Sequence, residues 1–304
     1  MLIDYADQIR YLDKIREGKV KEGYGLGIPE IDEFFRFKRK NINVILGHAN
    51  VGKTTAILAL MLAYSKRHGL KWMIFSSENE AYSIIRKLVE FQCATPINKI
   101  SAPLYSEAMN FVISHFQILS SEKMYTYKDI MEEAKELRET FKLDGIMLDP
   151  YNSLMKDKEL FASLGGHEYD YQAMTEMRQF CKSEDIALWI NAHAVTNALR
   201  IKHPVGHEYA GHPIPPLAAD AEGGGKFVNR ADDFICVHRY TQHPTEWIYT
   251  DIHVRKVKEV ETGGRPTPME APIRLKSIIN NVGFEVNGKP LILPVHLNQD
   301  KMTF

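Results

Sequence analysis

The stretch Gly47-His48-Ala49-Asn50-Val51-Gly52-Lys53-Thr54 constrains this chain more than any other. It fits G-x-x-x-x-G-K-[ST], the pattern of a loop that wraps phosphate oxygens. The pattern has meaning only between a strand and a helix, and both flanks are present. Val44-Ile45-Leu46 reads as a short buried strand, and Thr54 to Lys66 has helical character. The glycines let backbone N–H groups curl around phosphate, and the helix N-terminus adds the positive end of its dipole. Lys53 is expected to reach the outer phosphates of a nucleoside triphosphate. Thr54 is expected to ligate Mg²⁺ through its hydroxyl, with Thr55 beside it.

A strand–loop–helix unit of this kind belongs to an α/β domain. The chain is long enough for one such α/β domain: 304 residues, of which 44% are hydrophobic. A formal net charge of −1 argues against a generally basic nucleic-acid binder but leaves room for a local basic surface. Cys93, Cys181 and Cys236 are far apart and form neither a disulfide framework nor a C-x-x-C pair. With no membrane-length apolar run and an acidic N-terminus, the expected location is the cytoplasm.

In α/β sheets the chemistry collects at the carboxyl ends of the strands. Three further apolar runs end in polar residues. Lys71 to Ser77 leads to Glu78 and Glu80, where a carboxylate could act on water or simply stabilise a helix N-terminus. Gly145 to Leu148 ends in Asp149, a second Mg²⁺ candidate. Ile186 to Ile190 runs into Asn191-Ala192-His193, where a histidine could touch the terminal phosphate. Leu154 to Tyr171 and Thr196 to Gly225 read as loops, and Ala102 to Leu104 as a third. The second carries Arg200, Lys202 and three histidines and ends at Gly223-Gly224-Gly225-Lys226. Contact with a polyanion suits that composition better than a metal site.

Arg36 to Lys40 reads as a solvated basic turn. Asp232 to Arg239 is a further strand. The tail is β-rich: Trp247 to Val257, a turn at Gly263-Gly264, then Ile273 to Ile279 and Pro290 to Val295. Lys256, Lys258 and Arg265 near that turn are either exposed hairpin charge or cations offered to a neighbouring nucleotide site. Ile3, Ile9, Leu12 and Ile15 space a helix before Gly18, packed on its own domain or on a second copy. The expected division is a linker-like helix over 1–22 and one domain over 23–304.

This order of motifs resembles the RecA-like core of DnaB-type replicative helicases, in the branch of phage primase-helicases and mitochondrial Twinkle. The resemblance implies a P-loop fold with a mostly parallel central sheet. It also implies an ATP- and Mg²⁺-dependent helicase acting on single-stranded DNA, a homo-oligomeric ring (a hexamer in the family), and a primase or loader as further partner. By motif, Lys53 and Thr54 match the loop lysine and hydroxyl. Glu78 matches the catalytic glutamate, Asp149 the Mg²⁺ aspartate, and His193 the γ-phosphate sensor. Arg239 matches an arginine near the base, and Gly223 to Asp232 the DNA-contacting motif, including Gly224, Gly225, Lys226 and Asn229.

Two positions depart from the pattern. Asn229 stands where the family usually has glutamine, and Lys258 where it has the arginine finger. Lys258, Arg255 or Arg265 is therefore expected to serve as the finger in trans. The same core also occurs in recombinase-like filament ATPases, the alternative reading.

Overall fold

A computed structural model describes residues 4–20 and 22–295; Ile3, expected on the first helix, lies outside them. Helix α1 (Tyr5–Arg16) stands first, and the short α2 (Pro29–Asp32) follows. The core then alternates: β1 (Ile42–Gly47), α3 (Lys53–His68), β2 (Trp72–Ser76), α4 (Ala81–Cys93), α5 (Ala102–His115) and β3 (Phe116–Ile118). Next come α6 (Tyr127–Thr140), β4 (Gly145–Asp149), α7 (Lys158–Glu184), β5 (Ala187–His193), α8 (Gly225–Arg230) and β6 (Asp233–His238). Four strands close the described chain: β7 (Tyr249–Val257), β8 (Ile273–Ser277), β9 (Phe284–Val286) and β10 (Lys289–Pro290).

All ten strands form one sheet, ordered β10-β9-β8-β7-β6-β1-β5-β4-β2-β3. From β6 to β3 neighbours are parallel; from β6 outward through β10 they are antiparallel. The apolar runs explain this. β1, β2, β4 and β6 are buried at every position, as strands covered on both faces must be. One core, with Ala56, Leu60, Leu88 and Val112, packs α3, α4 and α5 on one face of the sheet. The other, with Ile130, Met174, Met177 and Phe227, packs α6, α7 and α8 on the opposite face.

Register fixes what meets at the carboxyl edge. β1 pairs with β5 so that Gly47 lies opposite His193, and β2 pairs with β4 so that Ser76 lies opposite Asp149. The phosphate loop thus leaves the middle of the sheet, with the strands that carry His193, Asp149 and Ser76 following in turn on one side of it. Gly47 itself is demanded by packing, since a Cβ there would stand 2.5 Å from the Val237 carbonyl oxygen.

Several expectations change. Residues 158–171 are not a loop: they form the first half of α7, whose helical path is broken at Gly165 (φ +73°). Tyr169 and Asp170 on this half are buried, so its polar composition hides a packed face. Ala102 to Leu104 belongs to α5, with Pro103 in its first turn, where proline is tolerated. The Arg36 to Lys40 stretch is not a solvated turn. Lys38 is buried against Asp233 at 3.2 Å, and Arg39 pairs with Asp144. Between Pro290 and Val295 only the first residue is in a strand, and the C-terminal pairing is made instead by Phe284–Val286.

Candidate nucleotide site

Lys53 is the first residue of α3, and the loop reaches it through two left-handed positions, Asn50 (φ +62°) and Gly52 (φ +83°). Glycine takes the second without strain, and asparagine tolerates the first. The Lys53 ammonium donates to the carbonyls of Gly47 and His48, each at 3.0 Å, and its third contact is Nδ1 of His193 at 3.4 Å. Burial pushes its pKa down, opposed by the charges of Asp149 and Glu78.

His193 extends the chain of contacts. Its Nε2 lies 2.9 Å from Oε1 of Glu78. An ammonium can only donate, so Nδ1 is the accepting nitrogen and Nε2–H donates to the carboxylate. The Glu78 side chain keeps 47% of its surface exposed, so water can reach it. Lys53, His193 and Glu78 share a cleft of about 390 Å³ with Ala49, Thr54 and Asn79.

Asp149 is 1% exposed and heavily hydrogen-bonded. Its Oδ2 accepts from Thr54 Oγ1 (2.8 Å), Ser76 Oγ (3.2 Å) and Asn79 Nδ2 (3.3 Å), and its Oδ1 accepts from Asn191 Nδ2 (2.6 Å). The Thr54 hydroxyl and Asp149 carboxylate form a pair of adjacent hard oxygen donors, the set that Mg²⁺ selects, so these residues fit that ion. Sequence reasoning singled out neither Ser76 and Asn79 nor Asn191 as partners of the aspartate. A signal existed for Asn191: strand alternation places it on the same face as His193.

Two histidines, His238 and His253, lie behind the loop near its own His48. His48 packs edge-on to His238 at 6.2 Å between ring centres, and His253 lies on the strand paired with β6. Burial holds His238 and His253 neutral, each at about 3, and lowers His48 as well.

The remaining candidates are scattered. Arg239 donates to the Trp247 carbonyl, just past the carboxyl end of β6. Arg200 and Lys202 are exposed on the 196–226 segment, which is tied down by the Ala194–Ala221 and Lys202–Pro213 bridges. Gly224 and Gly225 lead into α8, on which Asn229 lies. Lys226 is not presented to solvent; it is 8% exposed and paired with Asp170.

The hairpin cations fall at the other edge of the sheet. Val257 is level with Asp233 and Asn43, four residues below Gly47 along β1, or about 13 Å. Lys256 caps the end of α8 by donating to the carbonyls of Val228 (2.8 Å) and Ala231 (2.7 Å). Lys258 keeps 44% of its side-chain surface and lies 3.5 Å from Asp232. Arg255 is turned into a cavity, its Nη1 3.0 Å from the Met269 sulfur. Arg265 pairs with Glu33 and covers Phe34.

Fold and site together define a P-loop nucleotide-binding core of the RecA type. More particularly, the fold is the one seen in a DnaB-like replicative helicase. Over 93% of its length it superposes on a solved ATPase domain, with a TM-score of 0.74 at 14% identity and covering 99% of that chain. It superposes equally far on a DnaB-like replicative helicase solved to show its interactions with primase, with a TM-score of 0.72 at 15% identity and covering 66% of that chain. A KaiC-like protein of Pyrococcus horikoshii shares the fold more loosely, with a TM-score of 0.53 at 13% identity, over 88% of this chain and 97% of its own. In sequence, the chain is similar to the chloroplastic/mitochondrial Twinkle homolog of Arabidopsis thaliana, at 24% identity over 275 residues. That match takes in 86% of this chain but only 36% of the relative, so the chain spans about a third of the relative's length. No protein-family model matches the sequence. No helix among the described residues is long and apolar enough to cross a membrane.

Proposed function

We propose that this chain is the ATPase motor of a DnaB-type replicative DNA helicase. In this reading ATP and Mg²⁺ bind the loop, and hydrolysis drives movement along single-stranded DNA, 5′ to 3′ by family analogy. The observation that carries the reading is the convergence of Lys53, Thr54, Glu78 and His193 on one cleft, with Asp149 hydrogen-bonded to Thr54 behind them, in this strand order. Thr54 and Asp149 would hold the Mg²⁺, which, when bound, neutralises phosphate charge. Lys53 binds the outer phosphates. Glu78 accepts a proton from the attacking water, and His193 holds that carboxylate in place.

Assembly into a ring, a hexamer in the family, is part of the proposal, and two features support it. Lys258 lies at the edge of the sheet away from its own loop, which suits a cation that acts on a neighbour's site. Helix α1 buries no residue and leaves Tyr5, Ile9 and Leu12 more than half exposed at helical spacing, an apolar stripe that a second copy would cover. Exposed Arg200 and Lys202 would face the strand. Primase is the natural protein partner to test, given the DnaB-like relative, and the cytoplasm the expected place of work.

The alternative, a recombinase-like filament, shares the core. Forked-duplex unwinding with ATP, read beside negative-stain images with single-stranded DNA, separates the two. Rings with strand displacement support the helicase. Filaments without displacement overturn it.

A further inference from the structure

Lys226 follows three glycines in the segment proposed to meet DNA, yet it is buried against the carboxylate of Asp170 on α7. A buried ion pair can be a plain tether between helices. Two observations argue for something else. Asp170 does not depend on Lys226. It also accepts from the Tyr151 hydroxyl at 3.1 Å and lies 3.5 Å from the ammonium of Lys156, so it keeps a proton donor and a cation if Lys226 leaves. The lysine, for its part, sits on a six-residue helix entered through Gly223 (φ +94°) and Gly224 (φ +71°). A Cβ at Gly223 would stand 2.5 Å from the Lys226 side chain, so any side chain there would have to move the lysine.

The pair is wired to the nucleotide site from two sides. Tyr151, which holds Asp170, is two residues beyond Asp149. The segment just before the glycines is fastened to the His193 strand: the Glu222 N–H donates to the His193 carbonyl at 2.8 Å, and Ala221 bridges Ala194. One tether ends on the carboxylate paired with Lys226, the other a few residues before the lysine.

We propose that Asp170 cages Lys226, and that a phosphate of single-stranded DNA takes the place of Asp170 when the strand binds. The inference rests on the DNA-binding reading above and adds a positioning residue, Asp170, that sets how much DNA must displace to engage the loop. Lys156 and Tyr151 keep the released carboxylate satisfied, so the exchange leaves no orphaned charge.

The cage and the tether predict opposite signs. Affinity of the full chain for labelled oligo(dT), with a non-hydrolysable ATP analogue, is measured across a salt series for wild type, Asp170→Asn, Lys226→Met and the double variant. A cage predicts that Asp170→Asn binds roughly tenfold tighter, since a competing charge-assisted bond is gone. It predicts that Lys226→Met binds more weakly, with a salt slope shallower by about 0.7, one phosphate contact on a single strand. It also predicts that Asp170→Asn brings no gain when Lys226 is already methionine. The double variant removes both charges, so it reads the coupling even where a single variant folds poorly. Unchanged or weaker binding by Asp170→Asn, or a gain that persists in the double variant, overturns the cage. Wild-type protein that binds no oligo(dT) instead overturns the proposed function, and the cage with it.

Discussion

The hydrogen bond from Asn191 to Asp149 gives the sharpest test of how this site is held. Asn191 is fully buried, its Nδ2 is 2.6 Å from Asp149 Oδ1, and its own side-chain oxygen has no partner among the described residues. The residue therefore serves Asp149 as a donor alone. Asn191→Leu keeps the volume and removes the donor, leaving Oδ1 bare in a buried place. A hydrogen bond to a charged group is worth about 1.5–3 kcal/mol, so the expected loss in urea unfolding at pH 7 is about 2 kcal/mol, or some thirtyfold. Asn191→Asp is expected to be worse, about 3 kcal/mol or more, because two carboxylates then face each other and one must hold a proton. The sign with pH follows. A carboxyl whose folded pKa is raised contributes stability at low pH and loses it as pH rises, so the Asp variant recovers toward pH 5 and the Leu variant does not share that rise. Both are expected to need more Mg²⁺ for half-maximal hydrolysis. If Asn191→Leu unfolds within about 0.5 kcal/mol of wild type and Asn191→Asp is no worse, the account of how Asp149 is held is wrong.

Glu78→Gln is expected to retain nucleotide binding, measured by a fluorescent ATP analogue, while turnover falls at least about a hundredfold. Gly47→Ala should cost about 1–3 kcal/mol in thermal or urea melts and weaken nucleotide binding, since the added methyl meets the Val237 backbone rather than a side chain that can move. His238 and His253 are neutral in the folded protein down to about 3, whereas the unfolded chain takes up their protons near 6.5. Stability is then full above about pH 6.5 and falls as pH drops toward 3, by up to about 1.4 kcal/mol per pH unit for each histidine. His253→Phe should remove one such slope from the unfolding free energy plotted against pH.

What could be read from the sequence and what could not divide along a physical line. The strand–loop–helix around Gly47, and the carboxyl-edge positions of Glu78, Asp149 and His193, follow from local periodicity plus the rule that polar residues end buried parallel strands. The pairing of Gly47 with His193 and of Ser76 with Asp149 depends on strand order, which local patterns do not give: β5 lies between β1 and the Asp149 strand, which apolar content alone would set beside the loop strand. Long-range charge partners have no such local trace. Lys38 meets Asp233 from 195 residues away, and nothing near Arg36 to Lys40 announces it. The first half of α7 fails differently. Its glycines and charges look like loop composition, yet its buried face is made of Tyr169 and Asp170, residues whose burial depends on partners such as Tyr151 and Lys226. A segment stabilised by tertiary polar contacts does not show the apolar spacing by which helices are read.

The central claim is that nucleotide hydrolysis at the Lys53–Glu78–His193 cleft is coupled to single-stranded DNA. Steady-state ATP hydrolysis by the wild-type chain, followed across a titration of oligo(dT), measures that coupling directly. The account predicts a rate that rises with added strand and saturates, and that vanishes in Lys53→Ala at every DNA concentration. A rate that stays flat across the titration, with nucleotide bound and hydrolysed all the same, would contradict it.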